Sequence, residues 1–517
     1  MKNITISTKI YLIFFLLIAK INLAQNSSFL WKVSTNNGQS ESITQDNSSN
    51  TYVTTDEQAG MAKVLKIKPN GQTQFINSYL PAGYTSISHH DIKYINGHIF
   101  LAAVVSNSNT NQYYRGFVAK IDTMGNLIDQ LIIDTLEVSL MMGIKSAPYY
   151  SFGFYSDNQN NFYRAYTRAA SPSSPQPIYT IRKFNQNLNL ISLYQDTVPY
   201  IQPAGPYVVK PDGTVYYSFA GAVMKINSNL SAQVWNCSFS TNEYVSMMGL
   251  DNNNNIYVLT KEYGMTSNYI TRLIKIEDLG NTYNLVYNQI IDDSNVEYTI
   301  LLVDPVNNAL YTSGFYYSIP PYQRKVKKHN ASDASILWSD SAYSNASISD
   351  LLLSAQNNLI AIGGGTDYNV WFYNNSGGVV STLVYNGPCG ANDGIKVGLV
   401  DSNNKLIVTG ASCESANTVA YSTTIKYNIP NIITTDLIEN NNHTGIKLHP
   451  NPANDIVCIN CKNPVKQVVA IDSKGAQKTL SLLGNNCIDV TDLNNGVYML
   501  KLQFMESVLT EKIVINR

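Results

Sequence analysis

The chain has 517 residues, with 35 Lys and Arg against 36 Asp and Glu, so it is long enough for two or more domains and carries a formal net charge of −1. That balance gives no field to attract phosphate or an anionic membrane, which excludes nucleic acid as an expected partner. Charged residues make up 14% against about 25% in a typical domain, and 44% are hydrophobic; disorder and coiled coil are disfavoured, while 36 Tyr and abundant Asn and Ser favour strands joined by polar turns.

The first 24 residues carry Lys2 and Lys9, an apolar run from Ile10 to Ala19, and a short polar stretch ending at Ala24. This is the pattern of a secretory signal peptide over 1–24, its apolar run being about half the length of a membrane span. No Cys follows the run, so a lipid anchor is not expected. No later stretch is apolar enough to span a bilayer, and the mature chain is expected to lack a transmembrane segment.

From residue 26 to 430 one phrase recurs eight times: an alternating strand ending in Lys, an apolar or aromatic residue (His once), then a polar turn. The copies are VLKIKPNG, VAKIDTMG, TIRKFNQN, VMKINSNL, LIKIEDLG, KVKKHNAS, VWFYNNSG and TTIKYNIP. The anchors are Lys66, Lys120, Lys183, Lys225, Lys275, Lys328 and Lys426, with Phe372 in the seventh copy, at spacings of 42 to 63 residues. A second phrase precedes each anchor, as in NSSNTYVTT, PDGTVYYSF and NNNNIYVLT, and further strands flank both. Each unit is therefore a four-stranded meander of the size of one propeller blade. The last unit lacks its fourth strand, and FLWKVS at Phe29–Ser34 fits the vacancy, which would close the ring and remove its sheet edges. The expectation is an all-β β-propeller over 26–430, with eight blades preferred and seven as the alternative, because SPSSPQP at Ser171–Pro177 stretches the third unit.

The units GFVAKIDTMGN and LVDSNNKLIVTGAS resemble the repeats of bacterial extracellular β-propellers. The resemblance covers roughly 400 residues and implies a fold, not a chemistry. Trp31, Trp235 and Trp338 fall in register on fourth strands, which assigns them to packing between blades.

After a polar Asn-rich linker at 431–445, residues 446–517 change pattern to short alternating strands with Gly and Asn turns, suited to a small β-sandwich. Pro450, Asn451, Pro452 and Ala453, then Gly496 and Tyr498, then a terminal basic-apolar strand with Lys512, closely resemble the C-terminal sorting domain of type IX secretion cargo in Bacteroidetes. The resemblance implies passage to the periplasm, recognition by the outer-membrane translocon, and release or attachment at the cell surface. His449 and the cysteines of this segment depart from the pattern.

No HExxH, GxSxG, Walker, dinucleotide or EF-hand signature is present, so no cofactor is expected. Asp251–Asn255 would suggest Ca²⁺, but it lacks the alternating carboxylates and closing Glu of a calcium loop and reads as a turn. The six cysteines are Cys237, Cys389, Cys413, Cys458, Cys461 and Cys487. The lone CxxC at Cys458 and Cys461 does not make a zinc site. Cys389 and Cys413 flank the same unit on one face and are expected to form a disulfide; among Cys458, Cys461 and Cys487 the spacing does not choose a pair.

A propeller's ligand usually meets the loops entering the innermost strands. There the chain carries Glu41, His89, His90, Asp91, Tyr207, Glu243, Glu297, Asp350 and Asp393, a ring that could bind a cation or a sugar. Trp371, Tyr316, Tyr317 and Tyr322 could stack on sugar rings. The leading expectation is a non-enzymatic glycan- or protein-binding module. The alternatives are a polysaccharide hydrolase or lyase using Glu41, His90, Glu243, Glu297, Asp350 and Asp393 as acid-base groups, or a structural surface or adhesion component.

Overall fold

Turn chemistry sets the strand pattern. At Asp46, Asp157 and Asp251 one carboxylate oxygen accepts the backbone N–H groups two and four residues on, while the side-chain amide of the Asn at i+4 donates to the same carboxylate. Ser49, Asn160 and Asn254, one residue before that Asn, sit at φ of 61°, 58° and 67°, a left-handed conformation that Asn tolerates better than most residues.

The computed structural model describes residues 29–35, 38–56, 62–107, 114–133, 154–171, 174–197, 205–219, 221–239, 243–263, 269–292, 296–316, 323–343, 346–388, 393–413, 420–430, 447–460, 465–472, 476–484, 486–504 and 508–516. The expected signal peptide and linker lie outside them. The described residues contain strands and no helix, and the chain divides into two units, Met1–Ile433 and Thr434–Arg517.

Among the described residues the first unit holds eight four-stranded antiparallel sheets. Seven are meanders, within 39–78, 86–133, 155–197, 207–238, 243–292, 296–343 and 347–385, called sheets 1 to 7. Sheet 8 takes three strands from 394–428 and its outermost from β1 (Phe29–Thr35), which pairs antiparallel with Ala420–Asn428. The FLWKVS segment thus occupies the position left open by the last repeat. The third unit is not broken: strands Phe162–Ser171 and Ser174–Phe184 pair antiparallel from Phe162 with Phe184 to Ser171 with Ser174.

Eight apolar clusters join neighbouring sheets. Tyr52 and Val64 of sheet 1 pack with Ile99 and Leu101 of sheet 2, Phe100 and Val118 with Phe162 and Phe184 of sheet 3, and so on to Trp31, Val53, Leu65, Ile67 and Ile407, which join sheet 8 to sheet 1. The sheets therefore close into a propeller ring. Trp31, Trp235 and Trp338 pack as their register implied: the indole N–H groups of Trp31 and Trp235 donate to Pro69 O and Asp278 Oδ1, and a Cβ on Gly377 would meet the Trp338 ring.

Six of the seven anchor lysines are buried between sheets, and Lys275 is half-buried. Lys66, Lys183, Lys275 and Lys328 pair across the ladder with Tyr52, Tyr163, Tyr257 and Tyr311, their ammonium groups 5.2 to 5.5 Å from the ring centroids. Each ammonium also needs an acceptor, because a buried charge left unpaired is costly. Lys66 donates to Thr123 O of the next sheet at 2.6 Å, and Lys426 pairs with Asp401 at 2.7 Å. The fullest version joins sheets 4 and 5: Lys225 donates to both oxygens of Asp278 and to Gly280 O, and Asp278 also accepts from Tyr216 and Trp235. Burial would raise the Asp278 carboxyl, but the Lys225, Tyr216 and Trp235 donors hold it below the ordinary range.

Removing Asp278 leaves Lys225 buried without its carboxylate. Asp278→Ala is expected to lower stability by about 3–5 kcal/mol, read as a shift of the urea midpoint at unchanged m-value.

His329 takes the place that Ile or an aromatic holds in the other copies. It is fully buried, bonded through Nε2 to Thr312 and through Nδ1 to Ala334 O, and burial pushes its pKa down to about 4. The folded state therefore binds this proton less readily than the unfolded chain, whose His titrates near 6.5. Stability from this group is complete above pH 6.5 and declines as pH falls toward 4, by about 1.4 kcal/mol per pH unit. His329→Phe is expected to flatten that slope in urea titrations between pH 7 and 5.

The second unit has two four-stranded sheets around one core that includes Val457, Val468, Ile488, Leu500, Leu502 and Ile513. This is the β-sandwich expected from the strand pattern.

Candidate functional site

A meander places its first-to-second and third-to-fourth turns at one end of the ring, and its second-to-third loops and inter-sheet connections at the other. The first end is built of Asx turns, repeated sheet after sheet. The second end is where connections differ in length and sequence, and where the nine candidate residues fall.

The innermost strands share a device there. Register shifts interrupt the pairing at Ser40/Ser42, Ser88/Asp91, Val245/Met247, Tyr298/Ile300, Ile348/Asp350 and Ile395/Val397. Each is a β-bulge, which leaves a residue unopposed and re-aims the neighbouring side chains. Glu41, Ser246, Thr299, Ser349 and Lys396 occupy these bulges, as does the His89–His90 pair, whose side chains lie outside the described residues. Sequence alternation places His89 and Asp91 on one face; the shift between Ser88 and Asp91 interrupts that alternation.

Most of the candidate carboxylates serve the ring itself. Asp91 accepts from Ser42 Oγ at 2.7 Å and from the N–H groups of Ile92 and Phe154, linking sheets 1 and 2 to the residue preceding sheet 3. Glu243 is buried, pairs with Arg272 at 3.3 Å and accepts from Thr260 at 3.1 Å; burial, only partly offset by these partners, raises its pKa. Glu297 takes the Lys261 ammonium across sheets 5 and 6. Asp393 is fully buried and accepts from Gly387 N–H and, at 2.7 Å, Cys413 N–H. Tyr207 is buried in the core, where its hydroxyl donates to Tyr163 O.

Two positions keep a different character. Asp350 is half-buried and accepts from Leu351 N–H at 2.9 Å and from Gly398 N–H of sheet 8, yet burial pushes it up to about 7. Glu41 is half-buried beside Asp56, which burial and the Glu41 charge push up to about 6. Asp56 was not visible as a partner in sequence, because strand pairing alone brings it near Glu41. No group of three or more metal-ligating side chains occurs among the described residues. Trp371, read as a stacking surface, is buried on a third strand between sheets 6 and 7, with the Arg324 guanidinium 4.3 Å from its ring. The side chain of Tyr316, and Tyr317 and Tyr322, lie outside the described residues, as does Cys389. Cys413 is disulfide-bonded.

In the second unit the three separated parts of the sorting pattern converge. Strand Gly496–Gln503, which carries Tyr498, pairs with Val508–Ile515, which carries Lys512. On the other side of that last strand, Asn451 Oδ1 accepts from Val514 N–H at 3.0 Å, while buried Ala453 donates its N–H to Val514 O and accepts from Asn516 N–H. Pro450 and Pro452, both exposed, frame this turn. The chain terminus is thus clamped between the Pro-Asn-Pro-Ala turn and the Gly-x-Tyr strand. Cys458 and Cys487, cross-strand neighbours with Cα atoms 3.9 Å apart, form a disulfide, the pairing that spacing left open; Cys461 lies outside the described residues.

Residues 447–516 match the family described as the secretion system C-terminal sorting domain. No curated protein matches the chain. Among solved structures, the chain is similar to Chaetomium thermophilum Sqt1 bound to the N-terminus of ribosomal protein L10, at 10% identity, TM-score 0.49, covering 78% of this chain and 100% of that one. It is also similar to the Dos1 propeller, at 9% identity, TM-score 0.43, covering 78% and 95%, and to a protein of unknown function from Bacteroides caccae, at 13% identity, TM-score 0.29, covering 51% and 86%. The sorting domain directs export to the cell surface or secretion and implies interaction with the type IX machinery, and no described helix is long and apolar enough to cross a membrane.

Breaking the Cys458–Cys487 link by Cys458→Ser with Cys487→Ser is expected to destabilise the second unit by about 2–4 kcal/mol, measured as earlier protease cleavage within 447–516 while the propeller resists.

Proposed function

We propose that this exported type IX cargo is a recognition module whose propeller binds a glycan or a protein through the end carrying the second-to-third-strand loops and the inter-sheet connections. The observation that carries this reading is the use of the acidic groups there. Glu243, Glu297, Asp91 and Asp393 are bonded to Arg272, Lys261 and backbone N–H groups, which suits a rigid platform better than a carboxylate pair facing a scissile bond. The regular turn end offers little variation for specificity, whereas the loop end sits on a rigid scaffold, the usual arrangement for binding.

Glu41, Asp350 and the His89–His90 pair are the polar groups we assign to the ligand-facing rim. Asp350, titrating near neutrality, is also the group that a hydrolase or lyase reading would use as its acid. No cofactor enters the proposal, and bound Ca²⁺ is an outcome that the test reads.

The test is a glycan array and a polysaccharide-cleavage assay on the exported protein, each with added Ca²⁺, Zn²⁺ or chelator. Binding without turnover is expected, weakened about tenfold or more in Glu41→Gln or Asp350→Asn, since one charged hydrogen bond is worth about 1.5–3 kcal/mol. Cleavage abolished by Asp350→Asn would replace this reading with the enzymatic one.

A further inference from the structure

We propose that the junction of sheets 8 and 1 is a strand-exchange site, at which β1 leaves sheet 8 and the same strand of a second copy takes its place.

Three observations carry this. First, the apolar cluster at this junction has five buried residues, against nine to thirteen at each of the other seven junctions among the described residues. A hydroxyl pair also spans the seam: Ser40 Oγ of sheet 1 bonds to Ser422 Oγ of sheet 8, both residues being buried. Hydroxyl contacts contribute less than burial of apolar area and are remade with water when the seam opens. A small buried apolar cluster is one mark of a junction that opens locally.

Second, β1 is the one outermost strand not joined by a turn to its own sheet. It is held by a single ladder with Ala420–Asn428, by the packing of Phe29, Trp31 and Val33 in the flanking apolar clusters, and by side-chain bonds that include Trp31 Nε1 to Pro69 O at 3.0 Å, Lys32 Nζ to the Tyr385 hydroxyl at 2.8 Å, and Ser34 Oγ with Thr423 Oγ1 at 2.9 Å. When β1 departs it exposes the edge of a third strand, a template that an extended segment of the same chemistry fills.

Third, only residues 36–38 separate β1 from the first strand of sheet 1, Gln39–Gln45. They reach at most about 11 Å. A donated strand therefore brings its own seam up to the recipient's, and the exchange becomes reciprocal, giving a closed two-fold pair in preference to an open chain. The net charge of −1 opposes no such approach.

The test uses the full chain and a fluorescent peptide with the sequence of Phe29–Thr35. Wild-type protein is expected to take up the peptide slowly, to bind it at least about tenfold faster as Trp31→Ala, which removes the largest anchor, and to form dimers on concentration. The oxidised double variant Ser34→Cys with Thr423→Cys, joining cross-strand neighbours, is expected to lose both uptake and dimer and to regain them on reduction, with reduced wild type in parallel to account for the native disulfides. Failure of both wild type and Trp31→Ala to take up peptide overturns the proposal, as does a dimer that persists in the crosslinked variant. Should the double variant not fold, the wild-type and Trp31→Ala comparison still decides.

Discussion

A lysine ammonium cannot be left alone between two packed sheets, and this ring buries one at almost every junction. The stem fills space against a tyrosine ring of its own sheet while the charged tip must find oxygen on a turn, most often one belonging to the next sheet. Each sheet is thereby fixed to its neighbour at a defined height and rotation, which apolar contact alone, being non-directional, would not do. The Asx turns that hold those oxygens in place, and the glycines that admit Trp31 and Trp338 beneath the turns, answer the same requirement.

The seventh copy shows what the lysine contributes. Phe372 stands in its place and is fully buried among Ile360, Val370 and Tyr427, so an apolar side chain serves the packing there without a polar tip. Specific placement, not burial energy, is then what the other seven copies gain. At the seam between sheets 8 and 1 the apolar cluster is smaller, and the Ser40–Ser422 hydroxyl pair spans it.

The two units divide the work. The second unit gathers its sorting pattern around the final strand, so that residues far apart in sequence become one surface at the chain terminus. The first presents a uniform turn end and a varied loop end on a rigid frame. Its acidic residues differ in what they face: Glu243 and Asp393 look in sequence like Asp350, yet Glu243 meets Arg272 and Thr260, Asp393 meets backbone N–H groups at full burial, and Asp350 is half-buried with only backbone donors and a carboxyl near neutrality.

What the sequence determined by itself was everything with a period or a local pattern. The lysine anchors, the four-strand units, the missing strand supplied by FLWKVS, the role of Asp251 as a turn residue, the packing of the three tryptophans and the sorting domain are all written in spacing and in turn chemistry, which act over a few residues. What only the tertiary structure decided was partnership across sheets. That Lys225 meets Asp278, that Glu41 lies near Asp56, that Arg324 covers Trp371 and that Cys458 chooses Cys487 are matters of register and rotation between elements, and no local pattern encodes them. The same limit applied to the candidate site: a carboxylate's type is visible in sequence, but whether it faces solvent or a buried cation is set by strands that the sequence brings in from elsewhere in the chain.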